Sequence, residues 1–205
     1  MTGPKVSVVR TGLANLASVL AGLERVGAQP SITENPKDVE QATHVVLPGV
    51  GAFGAAMKHL HECGLVEPLR ERIHAGRPTM SICVGHQLLC RESEESPGIE
   101  GLAVVDAAVR RFPKNVLVPQ LGWNLVVPEG EHELIEEGYA YFANSFAIQE
   151  TPDGWSPAFC EHGVRFVAAM EKGKLLSCQF HPELSGQYGL GLLTRWLKEA
   201  EGGMV

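Results

Sequence analysis

The sequence predicts an α/β fold: an open, mostly parallel, twisted sheet with helices on both faces and a smaller antiparallel extension. Three observations carry that expectation. Through the first ninety or so positions, apolar runs of strand length alternate with apolar residues at helical spacing, the strand–helix–strand rhythm that builds a parallel sheet. From Gly101 to Ala169 the rhythm breaks into shorter runs interrupted by Pro and Gly, which reads as strands and hairpins added at one edge of the main sheet. The chain of 205 residues is 44% hydrophobic, enough for one domain over residues 1–205 with a substantial core.

Lys5–Val9 reads as the first strand, and Thr11–Asn15 turns into a helix with Asn15 as its N-cap. Leu16, Val19, Leu20, Leu23 and Val26 recur at helical spacing before Gly27 stops the helix. Gln29–Thr33 and His44–Leu47 are the next strands, and Ala55–Cys63 and Pro68–Ala75 the next helices. Thr79 begins a short apolar run that passes straight into an apolar-spaced helix start at Gly85–Leu89. The acidic pair Glu94–Glu95 then reads as a solvated helix end. Candidate strands follow at Val104–Val109, Val116–Val118, Tyr139–Phe142 and Val164–Met170, with Gly122–Asn124 as a turn. Leu175–Phe180 is a buried strand, and Gly189–Glu199 closes the chain as an amphipathic helix.

Composition narrows the function class. A formal net charge of −7 argues against a nucleic-acid or anionic-membrane surface. No run approaches the ~18 apolar residues of a membrane span, and the N-terminus lacks a signal-peptide pattern. Five cysteines, an odd number without framework spacing, suggest a reducing compartment, so a cytoplasmic location is expected. His59 and His61 stand two apart, so on a helix their rings diverge; without cysteine or carboxylate ligands at metal spacing they read as solvated surface. No metal or organic cofactor is expected.

The chemistry is carried by Ser81-Ile82-Cys83-Val84-Gly85, small-x-Cys-x-Gly, between a strand and a helix. This is the nucleophile-elbow pattern with cysteine in place of serine. A sharp turn lifts Cys83 out of the sheet, and small residues two positions either side let the backbone fold that tightly. The following helix aims its N–H groups at Cys83, which favours negative charge on sulfur and offers Val84 as an oxyanion donor. A cysteine nucleophile needs a base, and the base an orienting acceptor. His181-Pro182-Glu183, at the end of the last buried strand, supplies both: His181 to take the thiol proton and Glu183 to hold the other ring nitrogen. Gly49, Gly51 and Gly54, after the third strand, permit close backbone approach to a ligand, and Gln87 lies one turn beyond Cys83.

Ser-Ile-Cys-Val-Gly-His-Gln together with Gln-Phe-His-Pro-Glu resembles the class I, triad-type glutamine amidotransferases. Pro48–Gly54, Pro119–Asn124 and Tyr141–Phe146 narrow the resemblance to the glutaminase subunits of imidazole glycerol phosphate synthases, from about Val6 to Trp196. The resemblance implies that the Gly49–Val50 backbone is an oxyanion donor that rearranges to become competent. It implies that Gln87 and Glu95 hold free glutamine, with Gly51, Ser145 and Phe146 contacting it through the backbone. Asn15, Trp123 and Tyr141 fall at a partner interface. Five positions depart from the pattern. Ala14 replaces a glycine of the first loop, and His86 a methionine. Asn144 and Phe146 stand where histidine and tyrosine are usual. Leu184 replaces a lysine associated with an inter-subunit salt bridge.

The resemblance further implies hydrolysis of glutamine to glutamate and ammonia through a glutamyl thioester. Ammonia released into bulk water protonates and loses its nucleophilicity, so a productive enzyme passes it along a water-poor route. The chain carries no phosphate cradle or second substrate site. An acceptor on another protein is therefore expected, which the family supplies as a (β/α)8-barrel cyclase in a heterodimer. Three alternatives stay open from sequence: the glutaminase of another class I amidotransferase, which His86 and Leu184 favour, a stand-alone cysteine hydrolase, and a non-enzymatic regulatory or binding subunit.

Overall fold

A computed structural model of the chain describes residues 3–12, 16–49 and 51–201. Asn15, expected as an N-cap and interface residue, and Val50, expected in the oxyanion loop, lie outside the described residues, as does Ala14. The first half alternates strand and helix: β1 (Lys5–Val9), α1 (Leu16–Arg25), β2 (Gln29–Thr33), α2 (Pro36–Gln41), β3 (His44–Leu47), α3 (Phe53–Glu62), α4 (Val66–His74), β4 (Thr79–Ile82) and α5 (Val84–Leu88). Short strands follow: β5 (Glu92–Ser93), β6 (Ala108–Arg111), β7 (Gln120–Pro128), β8 (Gly138–Asn144), β9 (Phe146–Ile148), β10 (Ser156–Glu161), β11 (Arg165–Lys172) and β12 (Leu175–Cys178). A 3-10 turn (Pro182–Leu184) leads into α6 (Gly186–Glu201).

The main sheet has nine strands in the order β2-β1-β3-β4-β12-β11-β10-β7-β8. β2, β1, β3, β4 and β12 pair in parallel. β11, β10, β7 and β8 then extend the β12 edge antiparallel. The extension is therefore where the sequence places it, with one correction: β5, β6 and β9 form a separate three-stranded sheet instead of joining that edge. Because β3, β4 and β12 run the same way, the segments after them emerge at one rim, the place where open α/β sheets bind ligands. Register brings the distant parts together. Ser81 pairs with Ser177 and Ile82 with Cys178, and the Cys83 N–H donates to the Cys178 carbonyl at 2.8 Å.

Helices flank the sheet because each buries one apolar stripe. α3 buries Phe53, Ala56, Met57 and Leu60, and α4 buries Val66, Leu69 and Ile73. α2 has no such stripe, burying Val39 alone, and rests on local chemistry instead. Pro36 pre-sets its first turn, and the Asn35 side chain caps it by accepting from the Lys37 N–H at 3.1 Å. Arg72, fully buried on α4, stitches α2 and α4 to the adjoining strands by donating to Thr79 Oγ1 and to the carbonyls of Val39, Ala42, Thr43 and Pro78. Burial, and then neighbouring Arg77, pull its pKa down to about 9. All five cysteines are free thiols. Among the described residues no helix is long and apolar enough to cross a membrane.

Candidate active site

Cys83 sits between β4 and α5 with φ 54° and ψ −110°, a left-handed conformation that costs a non-glycine residue of order 1–3 kcal/mol. The surroundings hold it there. A Cβ placed on Gly85 would lie 2.0 Å from the Leu47 carbonyl oxygen, so α5 can approach the end of β3 only because position 85 has no side chain. The helix after the elbow is shorter than its sequence suggests, five residues and wholly buried, so it contributes first-turn N–H groups more than a long dipole.

Three distant side chains meet at this turn. The His181 ring lies near enough to Cys83 to feel it electrostatically, and its Nδ1 donates to Glu183 Oε1 at 2.9 Å. With Nδ1 the donor, Nε2 is the nitrogen left for sulfur. Both the imidazole and the carboxylate are almost fully buried. Burial alone would lower the His181 pKa; the side-chain interactions with Cys83 and Glu183, and their charges, overcome it and raise it to about 10. The imidazolium is thus the favoured form when its two partners face it. Backbone bonds fix the ring's origin: the His181 N–H donates to the Tyr141 carbonyl at 2.9 Å, and Ser185 Oγ donates to the His181 carbonyl at 2.6 Å. Beneath it, Phe180 packs edge-on against Phe142 (5.7 Å between ring centroids), which packs on Phe166. Burial pushes the thiols of Cys90, Cys160 and Cys178 up, Cys160 to about 11, which leaves them poor nucleophiles.

A cavity of about 210 Å³ opens at Cys83, below the size typical of drug-like ligands and suited to a small molecule. Gly51, Gln87, Glu95, Ser145 and Phe146, the residues implied to contact glutamine, all line it. Glu95 is held rather than loose: its Oε2 accepts the Phe53 N–H at 2.6 Å, and Ser96 Oγ accepts the Gly54 N–H at 2.9 Å. The Ser93–Ser96 segment is therefore not a helix end; it follows β5 and caps the start of α3, since the helix it was expected to close stops at Leu88. Gln87 points inward, its Nε2 donating to the Phe146 carbonyl at 3.0 Å and to Gln179 Oε1 at 2.9 Å. Gln179 Nε2 in turn faces Cys83 Sγ at 3.8 Å.

On the oxyanion side the loop stands in an arrangement that does not yet donate. The Val84 N–H, expected to be open to an oxyanion, donates to the Gly49 carbonyl at 3.3 Å. Gly49, expected as a donor, thus presents an acceptor to the elbow. No side chain could replace it, because a Cβ there would lie 2.7 Å from the Val84 Cβ and 2.8 Å from the Gly85 nitrogen.

Trp123 and Tyr141 face each other across the β7–β8 pairing, ring centroids 6.1 Å apart and nearly perpendicular. Gly122–Asn124 is therefore strand, not turn, and Val116–Val118 is not strand. Trp123 is 56% exposed and Leu121, two residues along the same strand face, 69%; Tyr139 and Leu184 are exposed as well. Tyr141 also supplies the carbonyl that holds His181, so this apolar surface adjoins the His181 backbone.

His86 is fully buried, its Nδ1 2.7 Å from Ser177 Oγ. Burial, only partly offset by a hydrogen bond to the Val167 backbone, pulls its pKa down to about 3, so it packs as a neutral ring. His61 is exposed as expected, but His59 is not simply solvated: it is half-buried, 3.2 Å from Glu34 and 3.7 Å from Cys63. Sequence reasoning also missed Arg111, which lines the Cys83 cavity with its guanidinium 5.5 Å from the Phe146 ring centroid, and Gln179. Gln179 was signalled by its place two residues before His181; Arg111 had no local signal.

The sequence profile described as glutamine amidotransferase class I matches residues 8–198. "Imidazole glycerol phosphate synthase subunit HisH" of Symbiobacterium thermophilum is 38% identical over 94% of this chain and 92% of its own length. The protein of the same name from Carboxydothermus hydrogenoformans is 40% identical over 91% and 95%. Among solved structures, one titled as a glutamine amidotransferase superposes with a TM-score of 0.76 at 22% identity over 96% of this chain and 98% of its own. PurLQS from Thermotoga maritima superposes at 0.74 with 16% identity over 96% and 98%. At those identities the structural likeness concerns the fold.

Proposed function

The chain belongs to the class I glutamine amidotransferase family, among the HisH subunits of imidazole glycerol phosphate synthase, and from that premise we propose how its residues act. It is a glutaminase of histidine biosynthesis, working as one domain over residues 1–205 and partnered with a (β/α)8-barrel cyclase in a cytoplasmic heterodimer. The observation that carries the reading is the grouping of Cys83 with the hydrogen-bonded pair His181–Glu183, opening onto a cavity that bears both a carboxylate, Glu95, and a guanidinium, Arg111. A free amino acid presents an ammonium and a carboxylate on one carbon, so a pocket holding both signs suits it.

In the proposed reaction His181 takes the Cys83 proton and the thiolate attacks the side-chain amide carbon of glutamine. The oxyanion forms beside the Val84 N–H and the Gly49–Val50 backbone. His181 returns the proton to the leaving nitrogen, ammonia departs and a glutamyl thioester remains. Water, deprotonated by His181, then releases glutamate and regenerates the thiol. Glu183 orients the ring and stabilises its cationic form. Gly51, Gln87, Glu95, Ser145 and Phe146 surround the amino acid.

The hydrogen bond from Val84 to Gly49 belongs to a resting state in this reading. Rotation of the Gly49–Val50 peptide would free the Val84 N–H and turn another donor inward. Removing one oxyanion donor typically costs about 10²–10³ in kcat, so basal activity is expected to fall that far below the partner-activated rate. The exposed Leu121, Trp123, Tyr139 and Leu184 surface, with half-buried Tyr141 against Trp123, suits the cyclase, with Leu184 adding apolar contact where a salt bridge is usual. Ammonia would leave by that face for the cyclase, which yields imidazole glycerol phosphate and an aminoimidazole carboxamide ribotide.

The test is glutamate release from glutamine, alone and with the barrel cyclase carrying its nucleotide ligand. Strong activation in the mixture, abolished by Cys83→Ala, is the expected outcome. Equal rates with and without the cyclase would overturn the partnered reading, and release that survives Cys83→Ala would overturn the catalytic one.

A further inference from the structure

A second cluster of chemically active side chains lies away from the Cys83 cavity. Glu34 follows β2, His59 sits in the last turn of α3, and Cys63 is the C-cap residue of that helix. His59 and Cys63 are four apart and therefore stacked on one helix face. One ligand atom from each of the three residues falls within 4.8 Å of the others. His59 Nε2 is 3.2 Å from Glu34 Oε1 and 3.7 Å from Cys63 Sγ.

Those separations have a specific meaning. A tetrahedral zinc ion holds nitrogen and oxygen at about 2.0–2.2 Å and sulfur at about 2.3 Å, which places N and O about 3.3 Å apart and N and S about 3.6 Å apart. The two edges that meet at His59 match both lengths, and the third, from Glu34 to Cys63, lies within 4.8 Å. The geometry points to a divalent transition-metal site of the zinc type formed by Glu34, His59 and Cys63, with one position open to solvent.

The donor set decides the class of ion. A thiolate and an imidazole disfavour magnesium and calcium, which take oxygen ligands, and favour zinc, cobalt or copper. Arg10 is the competitor, its Nε lying 3.4 Å from the same Glu34 oxygen. Binding there would clamp the end of β2 to the C-terminal end of α3, the helix whose opposite end is capped by Glu95 and Ser96. None of the three ligands lines the Cys83 cavity, so the site is spatially distinct from it.

The experiment titrates the full-length, reduced, chelator-stripped protein with Co(II) under anaerobic conditions and follows the thiolate-to-cobalt charge-transfer band. Because Cys83 beside His181 could also hold a metal, Cys83→Ser is run in parallel. One equivalent is expected to give a band that persists in Cys83→Ser, disappears in Cys63→Ser and bleaches when Zn(II) is added. His59→Gln and Glu34→Gln should weaken binding by at least the ~10–100-fold that loss of an outer-sphere partner causes, and Arg10→Ala should tighten it. Absence of the band, its survival in Cys63→Ser, or its loss only in Cys83→Ser would each overturn the assignment.

Discussion

Gly85→Ala tests whether the elbow is held by contact between α5 and the end of β3. The added Cβ would lie 2.0 Å from the Leu47 carbonyl oxygen and 3.0 Å from its carbon, where ordinary contact begins near 3.4 Å. Leu47 or the elbow must therefore retreat by about 1.4 Å, and neither is free to do so. The oxygen belongs to buried backbone, not to a flexible side chain, and Leu47 is itself fully buried. Overpacking of this kind costs about 1–3 kcal/mol, which at 2–4 °C per kcal/mol for a chain of this size lowers Tm by about 2–12 °C. The functional cost comes from the same displacement. Leu47 runs through Pro48 into Gly49, whose carbonyl contacts the Val84 N–H, so a shift of about 1 Å is transmitted to both sides of the oxyanion site. Misplacement of that size costs about 10² in rate. The assay is thermal unfolding beside steady-state glutamate release in the presence of the cyclase. A variant with wild-type Tm and wild-type kcat would refute the packing argument. Lost stability with full activity would refute the link between Leu47 and the oxyanion site.

Glu183→Gln replaces a charge-assisted hydrogen bond to His181 by a neutral one, a loss of about 1–2 kcal/mol, so kcat and kcat/KM should fall together by about 5–30-fold; an unchanged kcat in glutamate release would exclude the orienting role. Arg111→Ala should raise KM for glutamine about 2–5-fold with kcat nearly constant, the modest size expected of an exposed cation, and the effect should fade at high salt. An unchanged KM would remove Arg111 from substrate recognition. Two of the buried histidines, His181 and His86, predict opposite pH windows for stability. The folded pKa of His181 is raised from 6.5 to about 10, so its contribution is complete below 6.5 and lost as pH rises towards 10; His181→Gln should flatten urea-unfolding stability across that interval. The folded pKa of His86 is lowered from 6.5 to about 3, so its contribution is present above 6.5 and lost as pH falls towards 3. His86→Met should therefore slow acid unfolding in that interval, and an unchanged acid limb would show that the buried neutral ring is not its cause.

What the chain reveals before folding follows from how far each feature depends on distant neighbours. β1 and β3 fall at the positions read from sequence because short apolar runs between turn signals announce them locally, and β2, Gln-Pro-Ser-Ile-Thr, falls where the strand–helix alternation expects it. α2 escaped because a helix with one buried residue has no period to detect, and β7 because Gly122 and its alternation of exposed and half-buried positions imitate a turn. β10 opens with Ser-Pro and β9 has three residues, both too short or too interrupted to carry a pattern. The site divides in the same way. Cys83, His181 and Glu183 stand inside compact motifs whose chemistry names them. Arg111 reaches the cavity only because β6 pairs antiparallel with β9, setting Arg111 opposite Phe146. Glu34 reaches His59 and Cys63 because one follows a strand and the others end a helix, although the spacing from His59 to Cys63 was itself open to reading. The direction of the Gly49 peptide is further removed still, being set by a dihedral rather than by a residue type. Glycine permits the carbonyl to face Val84 and permits it to turn away, and no side chain at position 49 tips the balance. On the proposed resting-state reading, identity at that position encodes the capacity to switch and leaves the choice of state to whatever packs against the rim.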